Sequence, residues 1–200
     1  LEHHLSRIPP GDRSSVRRNI RKFERAGLTL APVQEADKQG SVLWESYVPF
    51  YDRAMVKWIP HSPAYFDGIS DISASVSMTT ARTAHDQLAG FILNFEDGPT
   101  WHAGRIGVLP QWERKEAVYF RLIYHLLEEA IAKGTQKLLL EPTCYRMKRH
   151  LGASYRPLVN LVYGLHPLWR LMLSTLQPLA QIALGHLGHQ KSSKNGIDYQ

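Results

Sequence analysis

The sequence predicts an α/β (α+β) domain, a mixed, mostly antiparallel twisted sheet with helices on both faces. Three observations carry that expectation. Three strand signals fill positions 72–108, with Asp97-Gly98 between the last two as a hairpin signal. The period then changes: Ala117, Phe120, Ile123, Tyr124, Leu127, Ala130 and Ile131 step at three and four residues, and Gly134 ends the run. A short apolar run, a basic helix and another apolar run follow. A meander therefore passes into a strand–helix–strand crossover.

The elements follow in order. Pro9, Pro10 and Gly11 mark residues 1–12 as an arm or linker. Ser14 and Ser15 are the N-cap candidates of a helix that ends near Gly27, with Val16, Ile20 and Phe23 on one stripe. Leu28 to Val33 reads as a short strand. Residues 39–58 carry a helical pattern interrupted by Pro49. His61 to Ser70 reads as a turn and a short helix. Ile72–Thr80, Leu88–Phe95 and Trp101–Val108 are the three strands. Lys137–Leu140 is the next strand, Thr143–Leu151 a short basic helix that stops at Gly152, and Leu158–Tyr163 a final strand. The expected domain spans residues 13–164, with residues 165–200 an apolar helical extension and frayed tail.

Composition limits the function classes. The chain has 200 residues, 44% hydrophobic and 21% charged, which excludes wholesale disorder. One cysteine excludes a disulfide framework and a Cys-rich zinc site, and fits a reducing cytosol. The chain opens on Leu1 without a signal-peptide pattern, as expected of a processed chain or a piece of a longer protein.

The net charge of +6 is unevenly spread. Residues 1–25 carry seven Lys/Arg against three acids, residues 26–141 ten against fourteen, and residues 142–197 seven against none. Basic flanks around an acidic middle point to an anionic partner: a nucleotide, a nucleic acid or a membrane surface. A solvated basic face is the plainer alternative.

The element order is similar to that of the GCN5-related N-acetyltransferase (GNAT) superfamily. Two segments resemble its Fem-like branch, the peptidoglycan aminoacyl transferases and their relatives. One is residues 17–28, RRNIRKFERAGL. The other runs from Val118 to Ala153, through a helix ending in Ala-x-x-Gly, a strand, and Tyr-x-x-Lys-x-x-Leu-Gly-Ala. GNAT enzymes usually place Q/R-x-x-G-x-G/A before this helix, so that backbone N–H groups hold the pyrophosphate of coenzyme A. Here the stretch begins at Gln111. Arg114 takes the first glycine position and Glu116 the Gly/Ala position, so Arg114 and Lys115 would grip phosphate with side chains. The resemblance also implies that two strands splay apart near Val108 and Leu109, whose backbone amides would serve the acyl carbonyl.

Amide formation requires an amine to lose a proton, an oxyanion to be stabilised and a leaving group to be protonated. Counting four back from Gly152, where GNAT enzymes often carry an acid, gives Lys148, an oxyanion- or phosphate-stabilising candidate. Tyr145, three residues earlier, is the candidate acid, and Glu141 the candidate base through water. Each has a plainer reading: a surface lysine, a packed tyrosine, a structural ion pair. Trp101 and His102 are substrate-side candidates. Cys144 lacks a Cys/His signature and reads as a small hydrophobe. His3-His4 and His186-x-x-His189 lack partners at metal spacing, so no metal is expected.

From Leu171 to Gln190 there is no Asp, Glu, Lys or Arg, but Pro178 and several polar residues argue against a spanning helix. A packed helix, a dimer contact and a membrane-surface element through residues 165–188 all remain open. The expected activity is N-acyl transfer from acyl-CoA to an amine on a small molecule, peptide or lipid-linked acceptor. Alternatives are an aminoacyl-tRNA-dependent Fem-type transferase, for which Arg13, Arg17, Arg18, Arg21 and Arg25 would track phosphates, and a non-catalytic anion-binding module. A homodimer or an upstream GNAT domain is a further expectation. The expected location is the cytoplasm, with peripheral inner-membrane attachment as the variant.

Overall fold

Five strands form one sheet in the order β1 (Thr29–Pro32), β2 (Val76–Arg82), β3 (Leu88–Asp97), β4 (Thr100–Val108) and β5 (Lys137–Leu139). The first three junctions are antiparallel and β4–β5 is parallel. The computed structural model describes residues 1–33, 40–54, 60–70, 75–112, 117–141 and 145–155. The chain divides into two units, Leu1–Ser154 and Tyr155–Gln200; in the second, the described residue is Tyr155, which is exposed.

Local chemistry explains the junctions. Asp97 pairs with Thr100 across Gly98 and Pro99, and Gly98 has φ +51. A glycine in the first central position with positive φ matches the strand twist that a tight hairpin needs. The β2–β3 connection turns at Asp86, φ +61, a backbone region that aspartate tolerates better than most residues. Buried Arg82 stabilises that turn by donating from Nη1 to Asp86 O at 2.6 Å. Parallel β4–β5 pairing needs a crossover, and α5 (Val118–Ala132) supplies it, closing at Gly134 with φ +69.

Helices cover both faces of the sheet, as expected. On one face, α2 (Pro10–Arg25) and α5 bury Val16, Phe23, Leu122 and Leu126 against Ala81, Ala103 and Val108. On the other, α3 (Gly40–Asp52) and α4 (Pro63–Ser70) bury Leu43, Tyr47 and Phe66 against Phe91 and Leu93. The helix α3 runs on through Pro49.

Residues 1–12 differ from the expected arm. They hold α1 (Glu2–Leu5) and the start of α2, with Leu5 and Ile8 buried in the core. Pro10 opens α2 because its ring fixes a helical φ and its missing N–H is not needed at the first position. The expected caps Ser14 and Ser15 therefore lie inside the helix. Gly27, φ +68, follows its end as expected.

The basic helix is α6 (Tyr145–His150), and Gly152 follows it with φ +80. The expected strand Leu158–Tyr163 and the apolar extension lie outside the described residues. Among the described residues no helix is long and apolar enough to cross a membrane.

Candidate active site

The site begins with a fault in the β3–β4 ladder. Ile92 pairs with Ile106 but Asn94 pairs with Ala103, so β4 carries one extra residue. Trp101 and Ala103 belong to the α5-side core, as do Ile106 and Val108. Simple alternation from Ala103 would send Arg105 to that same face. The bulge instead turns Gly104 and Arg105 together toward α3 and α4. Gly104 is required there, since a Cβ would stand 2.8 Å from both Leu93 and Phe95.

Arg105 thereby reaches two other elements. Its Nε donates to His61 Nε2 at 2.6 Å, and its Nη1 pairs with Glu141 Oε1 at 3.2 Å. The guanidinium can only donate, so His61 accepts at Nε2 and carries its ring proton on Nδ1. Burial, then the Arg105 charge, hold the His61 imidazole below its usual range. His61 stacks on Tyr65 with centroids 3.9 Å apart and lies 5.7 Å from the Tyr47 ring. Trp44 Nε1 donates to the His61 carbonyl at 3.1 Å and fixes the backbone. Burial raises the phenol pKa of both Tyr47 and Tyr65, with Arg105 opposing, so both stay protonated donors.

Lys148 and Glu141 meet through the backbone. Lys148 is buried, and its Nζ donates to the Glu141 backbone carbonyl. The contact holds the end of β5 to α6. Tyr145, at the start of α6, is 53% exposed, so it does not share the burial of Lys148.

The β4–β5 pairing is short. It runs from Thr100–Lys137 to His102–Leu139, while β4 continues to Val108. The ladder stops where β5 ends, and β4 runs on past it. The two amide candidates then separate. Leu109 N–H donates to Ala89 O at 3.1 Å and is committed to β3. Alternation turns the N–H of Val108 to the opposite side, away from β3. Val108 itself is fully buried.

The remaining candidates are dispersed. Trp101 is buried in the α5-side core with Lys133 Nζ 4.6 Å from its ring centroid, so it packs where a substrate contact was expected. His102 is exposed on the other face. Gln111 is exposed in a single 3₁₀ turn, Pro110–Trp112. Arg114, Lys115 and Cys144 lie outside the described residues. Ala117, φ +57, precedes α5, and its methyl side chain cannot accept from the first N–H groups. Gly90 permits this helix start to approach β3, because a Cβ there would stand 3.1 Å from Val118 Cγ1.

Sequence reasoning missed Arg105, His61, Tyr47 and Tyr65. One signal was available: an arginine in a strand position that alternation assigns to the core, directly after a glycine. Among the described residues no group of three or more His, Cys, Asp or Glu is gathered to hold a metal ion.

Comparisons place this geometry. The sequence matches the acetyltransferase (GNAT) domain family over residues 11–148. No curated protein matches the chain by sequence. Among solved structures it is similar to aminoglycoside 6′-N-acetyltransferase AAC(6′)-Ih from Acinetobacter baumannii, with 14% identity, 70% of this chain and 100% of that chain covered, and TM-score 0.51. It is similar to glucosamine-6-phosphate N-acetyltransferase from Arabidopsis thaliana, with 12% identity, 68% and 97% coverage, and TM-score 0.50. A third is AAC(6′)-Iy in complex with a bisubstrate analogue, CoA-S-monomethyl-acetylneamine, with 15% identity, 68% and 97% coverage, and TM-score 0.50. At such identities the likeness is one of fold. The family match spans the bulged β4, β5 and α6 as far as Lys148, and the chain belongs to the acetyltransferase (GNAT) domain family as an acyltransferase.

Proposed function

We propose that this domain transfers an acyl group from acyl-CoA to the nitrogen of an amine acceptor. The observation that carries the reading is the end of β4 beyond its pairing with β5, with the Val108 N–H turned away from β3 and the Arg105–Glu141–His61 cluster on the same strand. In this reaction the amine nitrogen bonds to the acyl carbon as the carbon–sulfur bond breaks, and the proton lost by the amine ends on the thiol.

The chain's residues take the following parts. Val108 N–H polarises the acyl carbonyl. Glu141 faces the incoming ammonium and accepts its proton through water. Lys148 holds Glu141 in place through its backbone carbonyl and adds positive charge behind it. Tyr145, half exposed at the head of α6, is the donor to the departing thiolate. The uncapped start of α5, after Gln111 and with Arg114 and Lys115 before it in sequence, suits the donor's pyrophosphate.

The aminoacyl-tRNA reading has its own support in α2, where Arg17, Arg18, Arg21, Lys22 and Arg25 are all exposed. Thermal-shift and calorimetric titration with acetyl-CoA, longer acyl-CoAs and charged tRNA separates the two. Saturable stabilisation by an acyl-CoA is expected. Indifference to every CoA species, with tight and salt-sensitive tRNA binding, overturns the first reading in favour of the second.

A further inference from the structure

The bulge of β4 does more than shape the strand: it sets a guanidinium in the middle of the acceptor side. Resting on the acyltransferase reading above, we propose that Arg105 selects an amine acceptor that also carries an anionic group, a carboxylate or a phosphate.

Arginine has five N–H donors. Here Nε is committed to His61 Nε2 and Nη1 to Glu141 Oε1. Among the described residues Nη2 has no hydrogen-bond partner, and the side chain is 28% exposed. The ion pair with Glu141 is single-pronged at 3.2 Å, so part of the fork remains available to another anion. A planar fork of this kind matches carboxylate and phosphate oxygens in pairs.

The surroundings favour the same ligand. His61 is neutral at Nε2 and serves as a brace, holding the guanidinium flat without adding charge. Glu141 is the carboxylate at this corner that the guanidinium faces, and Lys148 reaches its backbone carbonyl. An acceptor with only positive charge finds Glu141 but meets the Arg105 guanidinium beside it. An acceptor with one ammonium and one anion finds a partner for each: Glu141, 45% exposed, for the ammonium, and Arg105 for the anion. Tyr47 and Tyr65, with protonated hydroxyls, wall the corner from α3 and α4.

Matched acceptor pairs test this: O-phosphoethanolamine against ethanolamine, and β-alanine against β-alaninamide. Turnover with acetyl-CoA is followed by release of free thiol, and the same pairs are titrated calorimetrically without donor. The anionic member of at least one pair is expected to be favoured about tenfold or more in kcat/KM or in affinity, as a paired guanidinium contact would give. The better pair tells carboxylate from phosphate. Arg105→Gln is expected to bring the preference to near parity. Arg105→Lys, which keeps the charge without the fork and so covers the case that Arg105→Gln does not fold, is expected to lower it several-fold. Absence of preference in both assays, or a preference unchanged in both variants, overturns the proposal. If acetyl-CoA gives neither turnover nor a saturable shift while the titrations keep the anion preference, the donor reading fails and this one stands.

Discussion

The two faces of the sheet solve different problems. The α5 face is apolar throughout its centre, with Ala81, Ala89, Ala103 and Val108 of the strands under Val118, Leu122 and Leu126 of the helix. The α3/α4 face begins in the same way, with Leu43, Phe66, Phe91 and Leu93, but toward β5 it changes to Tyr47, Tyr65, His61 and Arg105. The first face needs only burial. The second face also carries donors and charges, each of which needs a partner once water is excluded. The lesson is that one inserted residue in β4 moves a charged side chain off the apolar face to the face that holds its partners.

This contrast sets the order of expected effects. Leu122→Ala on the buried face should cost about 2–5 kcal/mol, read as a lowered urea midpoint, with activity falling only as the fold does. Gly107→Val tests the other face, where a Cβ would overlap the Phe91 ring and stand 3.0 Å from the Ser46 carbonyl carbon. Overpacking there should cost about 1–3 kcal/mol in the same assay.

Lys148→Met should leave the Glu141 carbonyl without its donor, at about 1–3 kcal/mol. If Lys148 also supports the reaction, kcat falls beyond what the lost stability explains. Wild-type turnover in a folded variant removes it from the machinery.

The smallest effect is on pH dependence. His61 has a depressed pKa in the folded state, so the unfolded chain binds its proton first as pH falls below 6.5. Stability should therefore decline as pH drops from there toward the folded value, and rise again with pH. Replacing His61 by Phe should flatten that part of the stability–pH profile, and an unchanged slope would show that another group governs it.

Much of the fold was legible in the sequence because its signals are local. The period of Ala117 to Ile131, Asp97-Gly98 and the positive-φ glycines 27, 134 and 152 each report a few neighbouring residues. The expected arm at residues 1–12 failed for the opposite reason: burial of Leu5 and Ile8 depends on a surface formed by distant residues. Of the site, Lys148 and Glu141 were visible because they bracket one short segment. Their contact, Arg105 and His61 were not, since positions 61, 105 and 141 share no spacing that a periodic reading can detect.

The sequence alone determined the order of strands and helices and the crossover that makes β4 and β5 parallel, because these follow from hydrophobic period and turn chemistry along the chain. Only the tertiary structure decided which way β4 presents Arg105, which of Val108 and Leu109 gives its amide to β3, and that Trp101 belongs to the core. A ladder register is a property of two strands together. One residue of slip inverts every face assignment that follows it.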